Sequence, residues 1–269
     1  GEPLGRIGTL EIRMAETAKQ VRRAQRLRYR VFYDEMSAAP DMRARLSRRD
    51  VDGFDPVCDH LLVLDHEPVM LGTKRNPRVV GTYRLLRQET AARHGGFYTA
   101  GEFAIGEMLA RHPGSRFLEL GRSCVLAPYR NKRTVELLWH GVWSYVLRHN
   151  VDAMFGCASL EGTDPARLTQ VLSYLHHFHA APPAWSARAL PGRRAAMDLL
   201  PREKVDAKAA WRALPPLIKG YLRVGAFVGD GAVVDRQFGT TDVLIVLPVS
   251  SISDRYIQHF GPGAERHAA

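Results

Sequence analysis

The sequence is poor in cysteine, has no long apolar run, and carries fewer acidic than basic residues. Cys58, Cys124 and Cys157 are odd in number and far apart, with no CxxC among them. That excludes a disulfide framework and a zinc knuckle, and reads as reduced core thiols. No apolar stretch approaches the roughly 20 residues that span a bilayer. The opening residues GEPLGRIGTLEIRM lack the apolar centre of a secretory signal, so the expected location is cytoplasmic. Internal repeats and low-complexity tracts are also missing. In a 269-residue chain with 45% hydrophobic and 25% charged residues, this leaves a soluble globular protein able to bury a full core.

Only 28 acidic residues face 38 Lys and Arg, for a formal net charge of +10. Much of the excess is local. Arg22, Arg23, Arg26, Arg28 and Arg30 fall on the first helical stretch, and Arg43, Arg45, Arg48 and Arg49 precede an acidic turn. Three partners suit such patches: an anionic membrane surface, nucleic acid, or an acidic carrier protein. A solvated basic helix face is the plain alternative.

Hydrophobic periodicity gives alternating strands and helices. Thr9 to Met14 alternates as a strand, and Glu16 to Met36 carries Val21, Ala24, Leu27, Val31 and Phe32 near helical spacing. His60 to Asp65 and Val79 to Leu86 are strand-length runs that the turn Arg75-Asn76-Pro77 joins into a hairpin. Phe117 to Leu126 is the next strand. From Thr134 a helix is predicted with Val135, Leu138, Trp139, Val142, Trp143, Val146 and Leu147 on its apolar face. Ala153 to Ala158 reads as a buried strand, and Asp164-Pro165 opens a helix running to His177. Residues 184–200 hold one or two strands, Val205 to Tyr221 is helical around Pro215-Pro216, and Asp242 to Val249 is a late strand.

Four motifs, LRYRVF at 27–32, DGFD at 52–55, GTYRLL at 81–86 and LELGRS at 118–123, occur in an order that resembles the N-acyltransferases that begin ornithine lipid synthesis. These are relatives of the acyl-homoserine lactone synthases within the wider acetyltransferase superfamily. The likeness covers residues 20–165 well, and the closing GYLRVGAFVGDGAVVDRQFGTTDVLIVLP also resembles the ornithine lipid enzymes. It implies an acetyltransferase-like (GNAT-like, autoinducer-synthase-like) α/β fold, with a mixed central sheet flanked by helices. The expected organisation is a single acyltransferase domain over 1–269, with 184–269 as a C-terminal extension. The implied reaction moves a 3-hydroxyacyl chain from acyl carrier protein to the α-amino group of L-ornithine, giving lyso-ornithine lipid.

The chemistry of aminolysis constrains the candidates. A thioester is already activated, so an amine attacks it directly once deprotonated, and no catalytic Ser or Cys is needed. Glu119 is the candidate proton acceptor, directly or through water. In a regular strand Glu119 and Gly121 share one face while Arg122 lies on the other. A Glu119–Arg122 contact therefore requires a bulge near Gly121, which would also free a backbone N–H for the thioester oxygen; an ion pair closing a sheet edge is the structural alternative. By the resemblance, Asp52, Asp55 and Arg84 match charged positions that shape the acceptor pocket or order the loop over it. Asp52 and Asp55 would then bind a cationic side chain and Arg84 a carboxylate. A surface turn and an exposed arginine would look the same in sequence.

Coenzyme A-dependent acetyltransferases typically carry R-x-x-G-x-G/A after this strand, where backbone N–H groups receive pyrophosphate. Here the residues are Arg130-Asn131-Lys132-Arg133-Thr134-Val135, without either glycine. Arg130, Lys132 and Arg133 suit the single phosphodiester of a phosphopantetheine arm and the acidic carrier protein around it. No permanently bound cofactor is expected, nor a metal or nucleic acid. A long acyl chain would lie in an apolar groove lined by the hairpin, Phe97-Tyr98 and Phe103, and the central strand; each buried methylene contributes up to about 0.8 kcal/mol.

Three features compete for attention. His60 and Asp65 match an H-x4-D signature of glycerolipid acyltransferases, with Glu161-Gly162-Thr163 echoing another part of it. Yet the two bracket an apolar strand and point to opposite faces. His176, His177 and His179 sit at a helix end without a carboxylate nearby in sequence. Trp139 and Trp143 lie in an apolar stripe that core packing explains. The rival functions are a lactone-type or other N-acyl amino acid synthase, and a noncatalytic basic protein binding anionic membrane or nucleic acid.

Overall fold

A computed structural model describes residues 2–36, 38–67, 76–254 and 256–257. The strands are β1 (Gly5–Ile7), β2 (Leu10–Met14), β3 (Asp59–Asp65), β4 (Arg78–Arg87), β5 (Phe117–Val125), β6 (Ala153–Glu161), β7 (Arg194–Ala195), β8 (Phe227–Asp235) and β9 (Thr240–Pro248). The α-helices are α1 (Ala18–Tyr29), α2 (Met42–Ser47), α3 (Gln88–Arg93), α4 (Ile105–Ala110), α5 (Lys132–Arg148), α6 (Thr169–His179), α7 (Ala207–Ala213) and α8 (Pro216–Arg223). The chain divides into two compact units. The first comprises Gly1–Leu86, Leu120–Asn150 and Asp254–Ala269, the second Arg87–Glu119 and Val151–Ser253.

In the first unit β1, β2, β3 and β4 pair antiparallel in that order. The predicted hairpin is present, with His60 opposite Arg84; Arg75 of its turn lies outside the described residues. Helix α1 begins at a capping box: the Thr17 hydroxyl accepts from Gln20 N at 3.3 Å, and the Gln20 side chain accepts from Thr17 N at 3.1 Å. The sequence expects one helix to Met36, but the α-helix gives way to a π-helical stretch over Arg30–Glu35. Asn131 caps α5, accepting from Thr134 N at 3.2 Å. This helix packs on β1, β2 and β3. Its buried face keeps Leu138, Val142, Trp143 and Val146 of the predicted one but is turned to take in Leu137, Gly141 and Tyr145, leaving Val135 and Leu147 exposed. Gly141 explains the rotation, because a Cβ there would sit 2.9 Å from Ile12 Cγ1. The helix approaches the sheet through its glycine.

The second unit contains a mixed sheet. Residues Phe117–Glu119 of β5 pair parallel with Ala153–Phe155, and β6 runs antiparallel to β9 from Ala153↔Pro248 to Glu161↔Thr240. Beyond β9 come β8 and then β7, both antiparallel. Helix α6 packs on β8. Its approach begins as a 3-10 turn over Pro165–Leu168, with Asp164 accepting from Ala166 N at 3.0 Å. The α-helix therefore starts later than Asp164-Pro165 suggests and ends at His179. In the weakly patterned region 184–200 the structure has one short strand, β7. The helical reading of 205–221 resolves into α7 and α8 around Pro215. Strand β8 has no counterpart in the sequence reading, because Gly229 and Gly231 interrupt its apolar pattern.

Candidate active site

Asp52, Asp55 and Arg84 converge in the first unit, along with two residues that sequence reasoning treated otherwise. Arg28 is fully buried, although composition places it on a solvated basic face. Its guanidinium donates to both Asp55 oxygens at 2.8 and 2.7 Å, to Asp50 O at 2.6 Å, and lies 2.8 Å from Asp50 Oδ2. Arg84 donates to Asp52 at 2.6 Å and to Asp55 at 3.1 Å. Arg122 lies 3.1 Å from Asp52 and 3.3 Å from Asp50. The signal for Arg28 was present: it sits four residues after Ala24 and three before Val31, inside the apolar stripe. The Asp50 carboxylate carried none.

These contacts set the charge states. Burial alone would raise the Asp55 carboxyl, but the hydrogen bonds and charge of Arg28, with Arg84 beside them, hold it well below the usual carboxylate range. Asp52 is lowered likewise, with burial outweighed by Arg84 and then Arg122. Burial opposes the charge on Arg28, yet Asp55 and Asp50 push its pKa above the ordinary value. The result is a locked network of alternating charge. Asp52 is its most exposed carboxylate, with 22% of the side chain open.

A bulge near Gly121 is the condition for a Glu119–Arg122 contact; the positive φ in β5 falls at Arg122 and not at Gly121. Arg122 adopts φ 49°, in the left-handed region. Such a conformation is strained in a non-glycine residue, and the ion pairs to Asp50 and Asp52 hold it.

Glu119 lies in the second unit, 5% exposed. Its carboxylate accepts from Thr99 N at 2.7 Å and Tyr98 N at 3.2 Å, anchoring the 3-10 turn Tyr98–Gly101. Phe97 packs edge-on against Phe155, centroids 4.9 Å apart, and Phe103 is fully buried nearby in sequence. Glu102, Asp235 and Asp242 form a second carboxylate group in this unit that sequence reasoning missed, with one oxygen of each within 4.8 Å of the others.

Arg130 donates to Glu35 at 2.6 Å and to Val125 O at 2.9 Å. Lys132 and Arg133 are exposed at the start of α5, Lys132 lying 3.5 Å from Glu136. His60 and Asp65 engage different partners, Asp55 O at 3.0 Å and the Tyr129 hydroxyl at 2.6 Å. Burial lowers the His60 pKa. His177 contacts Leu200 O at 2.7 Å and Asp198 at 3.3 Å, a carboxylate distant in sequence. Trp143 is buried and Trp139 half-buried in the α5 face. Burial pushes the Cys124 thiol up to about 12 and the Cys157 thiol well above its usual value, so both stay protonated.

Residues 27–140 match the model of the acetyltransferase (GNAT) domain. Over 99% of this chain and 89% of the relative, the sequence is 54% identical to an L-ornithine N(alpha)-acyltransferase of Rhizobium meliloti (strain 1021). The chain belongs to the L-ornithine N(alpha)-acyltransferase family. A second member, from Agrobacterium fabrum, is 55% identical over 97% of this chain and 88% of its own length. Among solved structures the AHL synthase LasI is similar at a TM-score of 0.48 and 12% identity, covering 94% of this chain and 95% of that one. This member of the L-ornithine N(alpha)-acyltransferase family is an acyltransferase with an α/β fold, and its mixed sheet agrees with the fold expected from sequence. Among the described residues no helix is long and apolar enough to cross a membrane.

Proposed function

We propose that the protein transfers a 3-hydroxyacyl chain from the phosphopantetheine arm of acyl carrier protein to the α-amino group of L-ornithine, forming lyso-ornithine lipid. The observation that carries the acceptor is near-full-length identity above 50% to relatives named for L-ornithine. The amine nitrogen attacks the thioester carbonyl, the C–N bond forms as the C–S bond breaks, and the departing thiolate takes up a proton. Glu119 accepts the ammonium proton directly or through water, and Arg122 places positive charge beside the developing oxyanion. Asp55 is satisfied by Arg28 and Arg84, and Arg84 by Asp52 and Asp55; the role of Asp55 and Arg84 in this reading is to order the 50–58 loop. Asp52 is the more open carboxylate of that loop.

Support for a carrier-protein donor comes from the exposed cations Lys132 and Arg133 at the capped N-terminus of α5, with Arg130 one residue before the cap. Cations there oppose the helix dipole unless an anion approaches. A loose association with the anionic membrane surface is favoured by α2, where Met42 and Leu46 are 69% and 81% exposed among Arg43 and Arg45.

The test is mass spectrometry of products after incubation with 3-hydroxyacyl carrier protein, the matching coenzyme A thioester, and a panel of amino acids that includes ornithine, lysine and glycine. N-acyl-ornithine formed preferentially from the carrier protein is the expected product. Preference for another amine would overturn the acceptor, and equal use of coenzyme A would overturn the donor.

A further inference from the structure

Glu102, Asp235 and Asp242 are 3%, 8% and 6% exposed, and carboxylates gathered at such depth are compatible only when one of them holds its proton or a cation joins them. Strand register places the two aspartates, and Glu102 comes to them from the end of the 3-10 turn Tyr98–Gly101. Asp235 lies opposite Thr240, Asp242 is two residues further along β9, Leu244 lies opposite Cys157, and Phe155 lies opposite Glu119. Residues two apart, or directly opposed, share a face. Glu119, Cys157, Asp242 and Asp235 therefore project from one face of the second unit's sheet. Thr99 connects the two ends: its N–H binds Glu119, and its hydroxyl oxygen lies 3.8 Å from Cys157 Sγ.

Asp235 Oδ1 accepts from Gln237 N and Phe238 N at 2.9 and 3.1 Å, and Asp242 Oδ1 accepts from the Thr240 hydroxyl at 2.9 Å. Glu102 Oε2 is buried with no hydrogen-bond partner among the described residues. The nearest recorded cation, Arg193, lies 3.7 Å from Glu102 Oε1 and is itself 42% exposed and bound to Gly101 O. Burial, then the neighbouring Asp242 charge, pushes the Glu102 carboxyl up to about 7 against a hydrogen bond with the Cys157 thiol and the charge of Arg193, with Asp235 raising it further.

We propose that Glu102, Asp235 and Asp242 are the recognition site for the side-chain ammonium of the acceptor amino acid, on the same sheet face as Glu119. This rests on the reading of ornithine as acceptor. An ammonium group has three N–H donors and no acceptor, which matches three convergent carboxylates. It is also the cation that the reaction itself brings. A divalent metal would seek additional oxygen ligands and dehydrate at a cost, whereas the ammonium arrives on a short aliphatic stem.

The experiment compares kcat/KM for ornithine and for norvaline, which is ornithine without its side-chain amine, in the wild type, Glu102→Gln and Asp242→Asn. Melting temperatures verify folding, with Asp235→Asn as a replacement for any variant that fails to fold. The wild type prefers ornithine, and each variant lowers the ornithine-to-norvaline ratio by at least about tenfold, the size of a lost charge-assisted contact, while turnover of norvaline is retained. Equal loss on both amino acids would reveal a merely structural cluster and overturn the assignment. So would a melting temperature raised by Mg²⁺ or Mn²⁺ only when Glu102 is present, with the ratio unchanged. Wild-type enzyme that acylates norvaline as well as ornithine overturns this site alone; acylation of neither overturns the acceptor reading and the site together.

Discussion

Arg28 grips Asp55 through two parallel hydrogen bonds of 2.8 and 2.7 Å with neither side chain more than 3% exposed. The pair joins α1 to the loop that carries Asp50 and Asp52. Removing one partner of a buried ion pair leaves the other charge uncompensated, so Arg28→Met should cost about 3 to 5 kcal/mol. Urea denaturation followed by circular dichroism measures this; a loss well under 1 kcal/mol would show that the network relaxes freely.

The same network predicts an acid limb. The Asp55 and Asp52 pKa values are depressed in the fold, so their stabilisation is complete above the ordinary carboxylate value near 4 and declines as pH falls through the folded values. Wild-type melting temperature should fall below pH about 4, and Asp55→Asn should flatten that limb while lowering stability at pH 7. An unaltered acid limb in the variant would point to other carboxylates.

Glu102 behaves oppositely. Its folded pKa of about 7 lies above the ordinary value of 4.5, so its contribution to stability is full below pH 4.5 and lost as pH rises through about 7. The difference corresponds to about 3 kcal/mol. Glu102→Gln should therefore gain stability relative to wild type at pH 8 and not at pH 4, a comparison that denaturation at the two pH values makes directly.

Gly141→Ala improves intrinsic helix propensity by about 1 kcal/mol. Its Cβ nevertheless meets Ile12, at 2.9 Å from Cγ1, on a buried face. Overpacking typically costs about 1 to 3 kcal/mol, so the variant should be no more stable than wild type. A clear rise in melting temperature would mean that α5 is free to shift.

Glu119→Gln removes the proton acceptor and keeps an acceptor oxygen for one of the two N–H groups, since Tyr98 N and Thr99 N bind different carboxylate oxygens. Turnover should fall by about 10² to 10⁴ with the fold retained. An undiminished rate across neutral pH would leave Glu119 as an anchor of the 98–101 turn only. Lys132→Glu with Arg133→Glu should raise KM for the carrier-protein thioester about tenfold, leave melting unchanged, and reduce the sensitivity of KM to salt.

Sequence by itself determined the alternating elements, the reduced cysteines and the family. Apolar period and turn residues are local, and the β3–β4 hairpin, β5, β6 and α5 followed from them. The motifs DGFD, GTYRLL and LELGRS identified charged residues, but sequence spacing does not say which charge meets which. Only tertiary structure decided that Arg28 turns inward to Asp55, that Arg84 is satisfied by Asp52 and Asp55, and that the left-handed residue is Arg122 rather than Gly121. It also decided where α5 faces, through the contact of Gly141 with Ile12. The carboxylates of Glu102, Asp235 and Asp242 are separated by up to 140 positions; strand register brings the two aspartates to one face, and the 3-10 turn before Glu102 brings the third. Register depends on pairing between distant segments, which no local pattern encodes.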